Sequence, residues 1–427
     1  MTLQDLQERR EALLGVGAPL FYNEPVHIVR GEGVDLWDAD GKHYIDMYNN
    51  VPCVGHCNPH VVEAMHKQAS TLNVHSRYLH EGILDYAERL TGLHHDGLTS
   101  AVFACSGTEA NEVAIHIARA ATGGRGIIGT DAAYHGNSAE VIKLTIAGRK
   151  NVPEFRTIPF PQKYRPLQEG ISGEALTDLY LAELQGAIDA FKQDDVLLAA
   201  FLVCPLFANE GLPNIPEGFM PRATELIHNA GGLVISDEVQ AGFCRTGKWW
   251  GYEVSGFVPD IVSMGKPMGN GLPLSGVVAS TEHVNTFRKQ MRYFNTFAAC
   301  PLQAAVGMAV LDVLEGENLR ENAASVGQYM RDEIVKLQSN CEPVADVRGE
   351  GLFTGLEWVS DLDKKTPDRE GAIDVANRMK DKGFLICNAG ANGNIIKIRP
   401  PLVFQKEHAD LFLTAFAETL GELDGSA

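Results

Sequence analysis

The stretch Thr99-Ser-Ala-Val-Phe-Ala-Cys-Ser-Gly-Thr-Glu-Ala-Asn-Glu-Val-Ala-Ile-His-Ile-Ala-Arg-Ala-Ala121 decides how the whole chain is read. Its opening residues, Thr99–Ala104, read as a buried strand. Beyond them Ala110, Val113, Ala114, Ile117, Ala118 and Ala121 recur at i, i+3, i+4, i+7, i+8 and i+11, the spacing of one helix face. Ser106-x-x-Glu109 is a capping-box pattern at the start of that helix. A helix N-terminus carries free backbone N–H groups and a positive dipole end, so it suits a phosphate. Ser106, Gly107 and Thr108 stand there: the glycine permits close backbone approach and the threonine adds a hydroxyl donor. Taken alone, the pattern describes a plain helix cap equally well.

Further strands are expected at Leu198–Val203, Gly232–Ser236, Ile261–Met264 and Ser275–Ala279. They are continuous apolar runs rather than alternating ones, which suits a sheet covered on both faces. Helical stretches lie between several of them, which predicts a mostly parallel α/β sheet. Glu407 to Leu420 has helical spacing again, with Leu411, Phe412, Ala415, Phe416 and Leu420 on one side. The expected division is a large domain, residues 61–320, and a smaller α+β domain from residues 1–60 and 321–427.

Composition narrows the partners. The chain has 427 residues, 45% hydrophobic and 21% charged, with a formal net charge of −19. That surface repels phosphate backbones and anionic lipid, so neither nucleic acid nor membrane is expected as a partner. An anionic ligand then needs a local basic pocket. No apolar run approaches the roughly 20 residues of a bilayer span. Met1–Gly15 lacks the apolar core of a signal peptide. The 8 scattered cysteines fit a reducing compartment, so a cytoplasmic location is expected. His56, Cys57 and His60 in GHCNPH have no second Cys/His pair at ligand spacing, and no metal site is expected. Gly124-Arg-Gly-Ile-Ile-Gly129 matches a dinucleotide fingerprint, but a helix precedes it where a strand is required; it reads as a helix-to-strand turn.

Three more segments carry chemistry. Tyr134-His135-Gly136 places an aromatic that can stack on a planar heterocycle, or simply a surface turn. Strand 232–236 ends in Asp237-Glu238-Val239-Gln240, and carboxyl ends of parallel strands point into the ligand crevice. An Asp there can pair with a protonated ring nitrogen, with Val239 against the ring and Gln240 within reach of a ring hydroxyl. Lys266 follows the run Ile261-Val-Ser-Met-Gly265, at the edge of the same crevice. A desolvated lysine can lose its proton and form an imine with a cofactor aldehyde.

Taken in order, SGTEAN, YHG, SDEVQAGFCRTG, SMGKPMGNG and NTFAACP resemble the class III aminotransferase family of fold-type I pyridoxal-5′-phosphate (PLP) enzymes, from about Gly31 to the C-terminus. The resemblance implies a Schiff base on Lys266, which also moves the Cα proton. It implies Asp237 on the pyridine nitrogen, Val239 and Tyr134 flanking the ring, and Gly107 and Thr108 on the phosphate. It also implies a homodimer in which Thr296 reaches the neighbouring subunit's cofactor phosphate.

The reaction is less constrained, because one cofactor serves many outcomes. Where many aminotransferases of this class have Glu-Pro, this chain has Cys204-Pro205, with Glu210 nearby. His75-Ser-Arg-Tyr-Leu-His80 is similar to a stretch of ethanolamine-phosphate phospho-lyases, as are Asn50-Val51 and GHCNP. Lys397-Ile-Arg399-Pro-Pro401 has a lysine where aminotransferases commonly place a carboxylate-binding arginine. Arg77, Lys397, Arg399 and Asn50 are therefore the expected substrate-binding residues. The expected activity is elimination of phosphate from O-phosphoethanolamine or a close phospho-amine. The alternative is an ω-aminotransferase passing an amine to a keto acid.

Overall fold

A computed structural model describes residues 2–145, 152–338 and 343–423. The N-terminal part forms strands β1 (Ile28–Glu32), β2 (Asp35–Asp38) and β3 (His43–Asp46). The middle of the chain forms β4 (Ser100–Ala104), β5 (Gly126–Thr130), β6 (Phe155–Ile158), β7 (Leu198–Val203), β8 (Leu233–Asp237), β9 (Ile261–Met264) and β10 (Ser275–Ala279). The C-terminal part forms β11 (Val344–Gly349), β12 (Thr354–Asp361), β13 (Thr366–Pro367), β14 (Phe384–Leu385), β15 (Cys387–Ala389) and β16 (Ile395–Ile398).

The middle strands form one 7-stranded sheet in the order β4-β10-β9-β8-β7-β5-β6. Strands β9, β8, β7, β5 and β6 pair in parallel, whereas β10 runs antiparallel to both its neighbours. β7, β9 and β10 are buried at every position, as expected of strands covered on both faces. The fold is that of fold-type I PLP enzymes. A 4-stranded sheet joins β1, β2 and β3 to β14, which pairs in parallel with β3. A third sheet runs β11-β12-β16-β15, with β13 on β12.

The helix Gly107–Thr122 starts at an Ser106 N-cap, with both hydrogen bonds of the capping box formed, and ends at a left-handed Gly123. Gly124–Gly129 is thus the turn into β5 and the strand itself. A strand at β6 was not expected: Phe155-Arg-Thr-Ile158 is half polar and carries no alternation. The last helix, Lys406–Leu423, buries Ala409, Phe412, Leu413, Ala415, Phe416 and Leu420. Leu411 departs from expectation and is exposed. It lies about 100° around the helix from Phe412, and Leu413 completes the buried stripe instead. In GHCNPH, His56 pairs with the buried Asp46 at 2.8 Å, and His60 meets Asp312 at 3.2 Å at the surface.

Candidate active site

The ends of neighbouring strands converge on one cavity. β4 leads into Cys105–Thr108 at the start of the Gly107–Thr122 helix, β7 into Cys204, β8 ends in Asp237, and β9 leads into Lys266. Because β10 is antiparallel, its entry segment Leu272–Leu274 reaches the same rim. The cavity measures about 370 Å³, and Ser106, Gly107, Thr108, Tyr134, His135, Asp237, Val239, Gln240 and Lys266 all line it.

Asp237 is the most tightly held of these. Its Oδ2 accepts from Asn111 Nδ2 at 2.9 Å and from His135 Nδ1 at 2.7 Å, and its Oδ1 accepts from the Val239 amide at 3.0 Å. Asn111 Nδ2 also donates to the His135 carbonyl at 2.8 Å, and Asn111 Oδ1 accepts from Ser263 Oγ. One carboxylate is thereby fixed from three elements. Behind it the buried Glu238 accepts from the Gly251 and Tyr252 amides at 2.8 and 2.9 Å, and burial raises its pKa to about 7. The chain on either side of Asp237 is therefore anchored.

At the phosphate end, packing leaves no room for a side chain on Gly107. A Cβ there would stand 2.8 Å from Val239 Cγ1, and one on Gly136 would stand 2.6 Å from Thr108 Oγ1. Helix terminus, valine and tyrosine loop are in direct contact.

Lys266 is half-buried, and among the described residues no hydrogen-bond or ion-pair partner meets its ammonium. Burial lowers its pKa, and the nearby Arg399 lowers it further. A neutral amine, the form that attacks a carbonyl or removes a proton, is correspondingly more accessible.

Gln240 is committed on both sides. Its Oε1 accepts from Arg399 Nη1 and its Nε2 donates to Asn209 Oδ1 at 3.1 Å, which leaves one N–H. Arg399 also donates to the Tyr48 carbonyl at 2.7 Å and lies over the Tyr48 ring. Asn50 is buried and donates to the Gln240 carbonyl at 3.4 Å, and among the described residues its Oδ1 meets no partner. Lys397 is buried on β16. Burial lowers its pKa to about 7, with Arg399 adding to the effect.

Arg77 and Thr296 stand elsewhere. Both are exposed and neither lines this chain's cavity. The Arg77 guanidinium lies 4.1 Å from the centre of the Phe294 ring, two residues from Thr296. Asn111, Asn209 and Cys204 do line the cavity but were not among the expected site residues. Asn111 was legible, because it falls one turn into the helix that opens on Ser106. Asn209 was not, because only the loop after β7 brings it back.

The residues fit a phosphorylated pyridine aldehyde. A helix terminus faces the cavity beside a glycine, an Asp lies at the end of β8, a valine and a tyrosine line the walls between, and an uncommitted lysine sits opposite. Fold and site together define a PLP-dependent enzyme. The chain belongs to the class III aminotransferase family, whose model, "Aminotransferase class-III", matches residues 20–420.

Its relatives divide by activity. An "Alanine--glyoxylate aminotransferase 2-like" protein of Drosophila melanogaster is 36% identical over 424 residues, 96% of this chain and 86% of that protein. "Ethanolamine-phosphate phospho-lyase homolog 1" of Caenorhabditis elegans is 31% identical over 98% of this chain and 93% of its own length. A solved phospholyase from Arthrobacter, in complex with phosphoethanolamine, superposes with a TM-score of 0.94 at 38% identity, covering 98% of this chain and 99% of that one. The chain is thus a class III PLP enzyme, a lyase or an aminotransferase.

Bound PLP supplies an aldehyde that takes up a substrate amine and an electron sink for charge developing at Cα. Lys266, at the cavity wall, would be the residue placed to accept the Cα proton. Asp237 would hold a proton at the ring nitrogen, and the amides of the Gly107–Thr122 helix terminus would hold the phosphate.

Proposed function

We propose that this enzyme eliminates phosphate from O-phosphoethanolamine, or a close phospho-amine, to give acetaldehyde, ammonia and phosphate. The observation that carries the reading is the pair Lys397 and Arg399. Both are buried, neither lines the cavity itself, Arg399 reaches its wall through Gln240, and neither meets a carboxylate within ion-pair distance among the described residues. Two desolvated basic groups with no carboxylate in ion-pair contact favour a doubly charged ligand group over a single carboxylate. Cys204, where many aminotransferases of this class have a glutamate, lines the cavity. The likeness to the Arthrobacter phospholyase and its phosphoethanolamine supports the same choice.

The working unit in this reading is a homodimer. Arg77 and Thr296 lie together at the surface of one chain and complete the cavity of the other, Thr296 at the cofactor phosphate and Arg77 at the substrate phosphate. The alternative, amine transfer to a keto acid, is favoured by the aminotransferase names of several curated relatives.

Phosphate release separates the two. The PLP-loaded enzyme mixed with O-phosphoethanolamine, with no keto acid present, should release phosphate and ammonia in equal amounts over many turnovers. A transaminase stops after one half-reaction and frees no phosphate; that outcome, with amine transfer to pyruvate, would replace the lyase reading.

A further inference from the structure

Two of the three amide side chains that line the cavity still have a hydrogen to give. Asn111 is spent: its N–H groups go to the His135 carbonyl and to Asp237, and its oxygen accepts from Ser263. Asn209 Nδ2 donates once, to the Tyr134 carbonyl at 3.2 Å, and Asn209 Oδ1 accepts from Gln240 Nε2 at 3.1 Å. Gln240 Oε1 in turn accepts from Arg399 Nη1. An amide nitrogen carries two hydrogens. Asn209 and Gln240 thus each keep one N–H without an acceptor among the described residues.

The direction of this chain of hydrogen bonds is forced from both ends. A guanidinium only donates, so Arg399 requires the oxygen of Gln240. A carbonyl only accepts, so Tyr134 requires the nitrogen of Asn209. Flipping Gln240 would set its nitrogen against the guanidinium and its oxygen against Asn209 Oδ1. Flipping both amides would set Asn209 Oδ1 against the Tyr134 carbonyl. The network therefore assigns both amides. The Gln240 carbonyl is pinned by Asn50 at 3.4 Å, and Arg399 is anchored on the Tyr48 carbonyl at 2.7 Å. With both amide oxygens turned to partners, these two side chains offer the cavity donors.

Around Arg399 stand Tyr48 and Asp46 from the N-terminal part, Cys387 on β15, Lys397 on β16, Arg245 after β8 and Lys266 after β9. Lys397 pairs with Gly355, on which a Cβ would stand 3.2 Å from the Gly211 carbonyl, so it is directed at the 207–212 loop behind Asn209. Among the described residues, Arg399 is the cation behind the wall that bonds a side chain lining it.

A wall of donors takes an oxygen that only accepts. In PLP the fitting group is the ring oxygen without its proton, since a neutral hydroxyl would itself need an acceptor. We propose that Arg399 is a positioning residue acting through Gln240: it holds that amide as a polarised donor, so that the cofactor's ring oxygen is bound in its ionised form. The assignment is the same for a lyase and for an aminotransferase. A donor on the ring oxygen draws off charge that would otherwise hold the imine proton shared with it, so that proton leaves at lower pH.

The test is a pH titration of the visible absorption of the PLP-loaded enzyme without substrate, whose midpoint reports loss of that proton. The absorption band and the Tm confirm that each variant is loaded and folded. Arg399→Met and Gln240→Leu should each raise the midpoint by about one pH unit, the worth of one hydrogen bond to a charged group. The two substitutions combined should raise it no further, because both remove the same donor. Asn209→Leu leaves the Arg399–Gln240 bond in place and should move the midpoint far less. Rises that add in the double variant would mean that Arg399 acts on the cofactor through space, and would overturn the proposal. An unmoved midpoint in Gln240→Leu overturns it as well, and that variant decides the matter by itself where Arg399→Met does not fold.

Discussion

Asp237 illustrates how one residue is made single-purpose by its neighbours. Three hydrogen bonds, from Asn111, His135 and Val239, hold its carboxylate at the end of β8. Asn111→Ala removes the donor at 2.9 Å and leaves the buried Ser263 hydroxyl without its acceptor. Stability should fall by about 1–3 kcal/mol in urea unfolding, the cost of an unmade buried hydrogen bond. Asp237→Asn keeps the shape but loses the charge opposite the pyridine nitrogen. The variant should still take up PLP, read from its visible absorption, while kcat falls by at least about 100-fold, as when one preorganised electrostatic partner is removed. Full activity in that variant would take Asp237 out of its assigned role.

At the scale of elements, the informative feature is contact between the helix terminus and the strand end. Gly107→Ala would place a methyl 2.8 Å from Val239. Overpacking of this kind costs about 1–3 kcal/mol, and here it displaces the ring-facing valine. The expected result is weaker PLP retention on dialysis together with a lower Tm.

Strand β16 carries the opposite kind of tension. Burial depresses Lys397 from an ordinary 10.5 to about 7, so between those values the unfolded chain binds more protons than the folded one and stability rises with pH. Lys397→Met removes this dependence. It should stabilise the protein, by about 5 kcal/mol near pH 6 and by only about 1 kcal/mol near pH 10, since each pKa unit is worth about 1.4 kcal/mol. Urea midpoints of native and variant protein at the two pH values provide the check. A constant difference would mean that Lys397 titrates normally.

The whole molecule raises the question of which chain completes which site. Arg77 lies outside the cavity of its own chain. If the working dimer exchanges it, Arg77→Ala and Lys266→Ala homodimers are each inactive, but their mixed dimer holds one intact site. Random exchange then restores roughly one quarter of native phosphate release, because half the dimers are mixed and half of their sites are whole. No recovery after confirmed subunit exchange would place Arg77 and Lys266 in a site of one chain, or remove Arg77 from the chemistry.

What could be read from the linear chain follows from interactions between near neighbours. Apolar runs marked β4, β7, β8, β9 and β10 because a doubly covered strand must be apolar throughout. Helical spacing and a capping pair marked the Gly107–Thr122 helix, because capping is a contact between residues three apart. β6 escaped for want of any such pattern, and Leu411 was misplaced because helix spacing alone does not say which residue of a stripe faces the core.

Tertiary structure decided the rest. It aimed Lys397 at the 207–212 loop, closed the Gln240–Asn209 wall, engaged His56 with Asp46, and set Arg77 apart from the cavity. Each of these joins residues far apart in the chain through sheet register or loop return. Whether a lysine is desolvated or solvated depends on those long-range neighbours, and no local pattern encodes it.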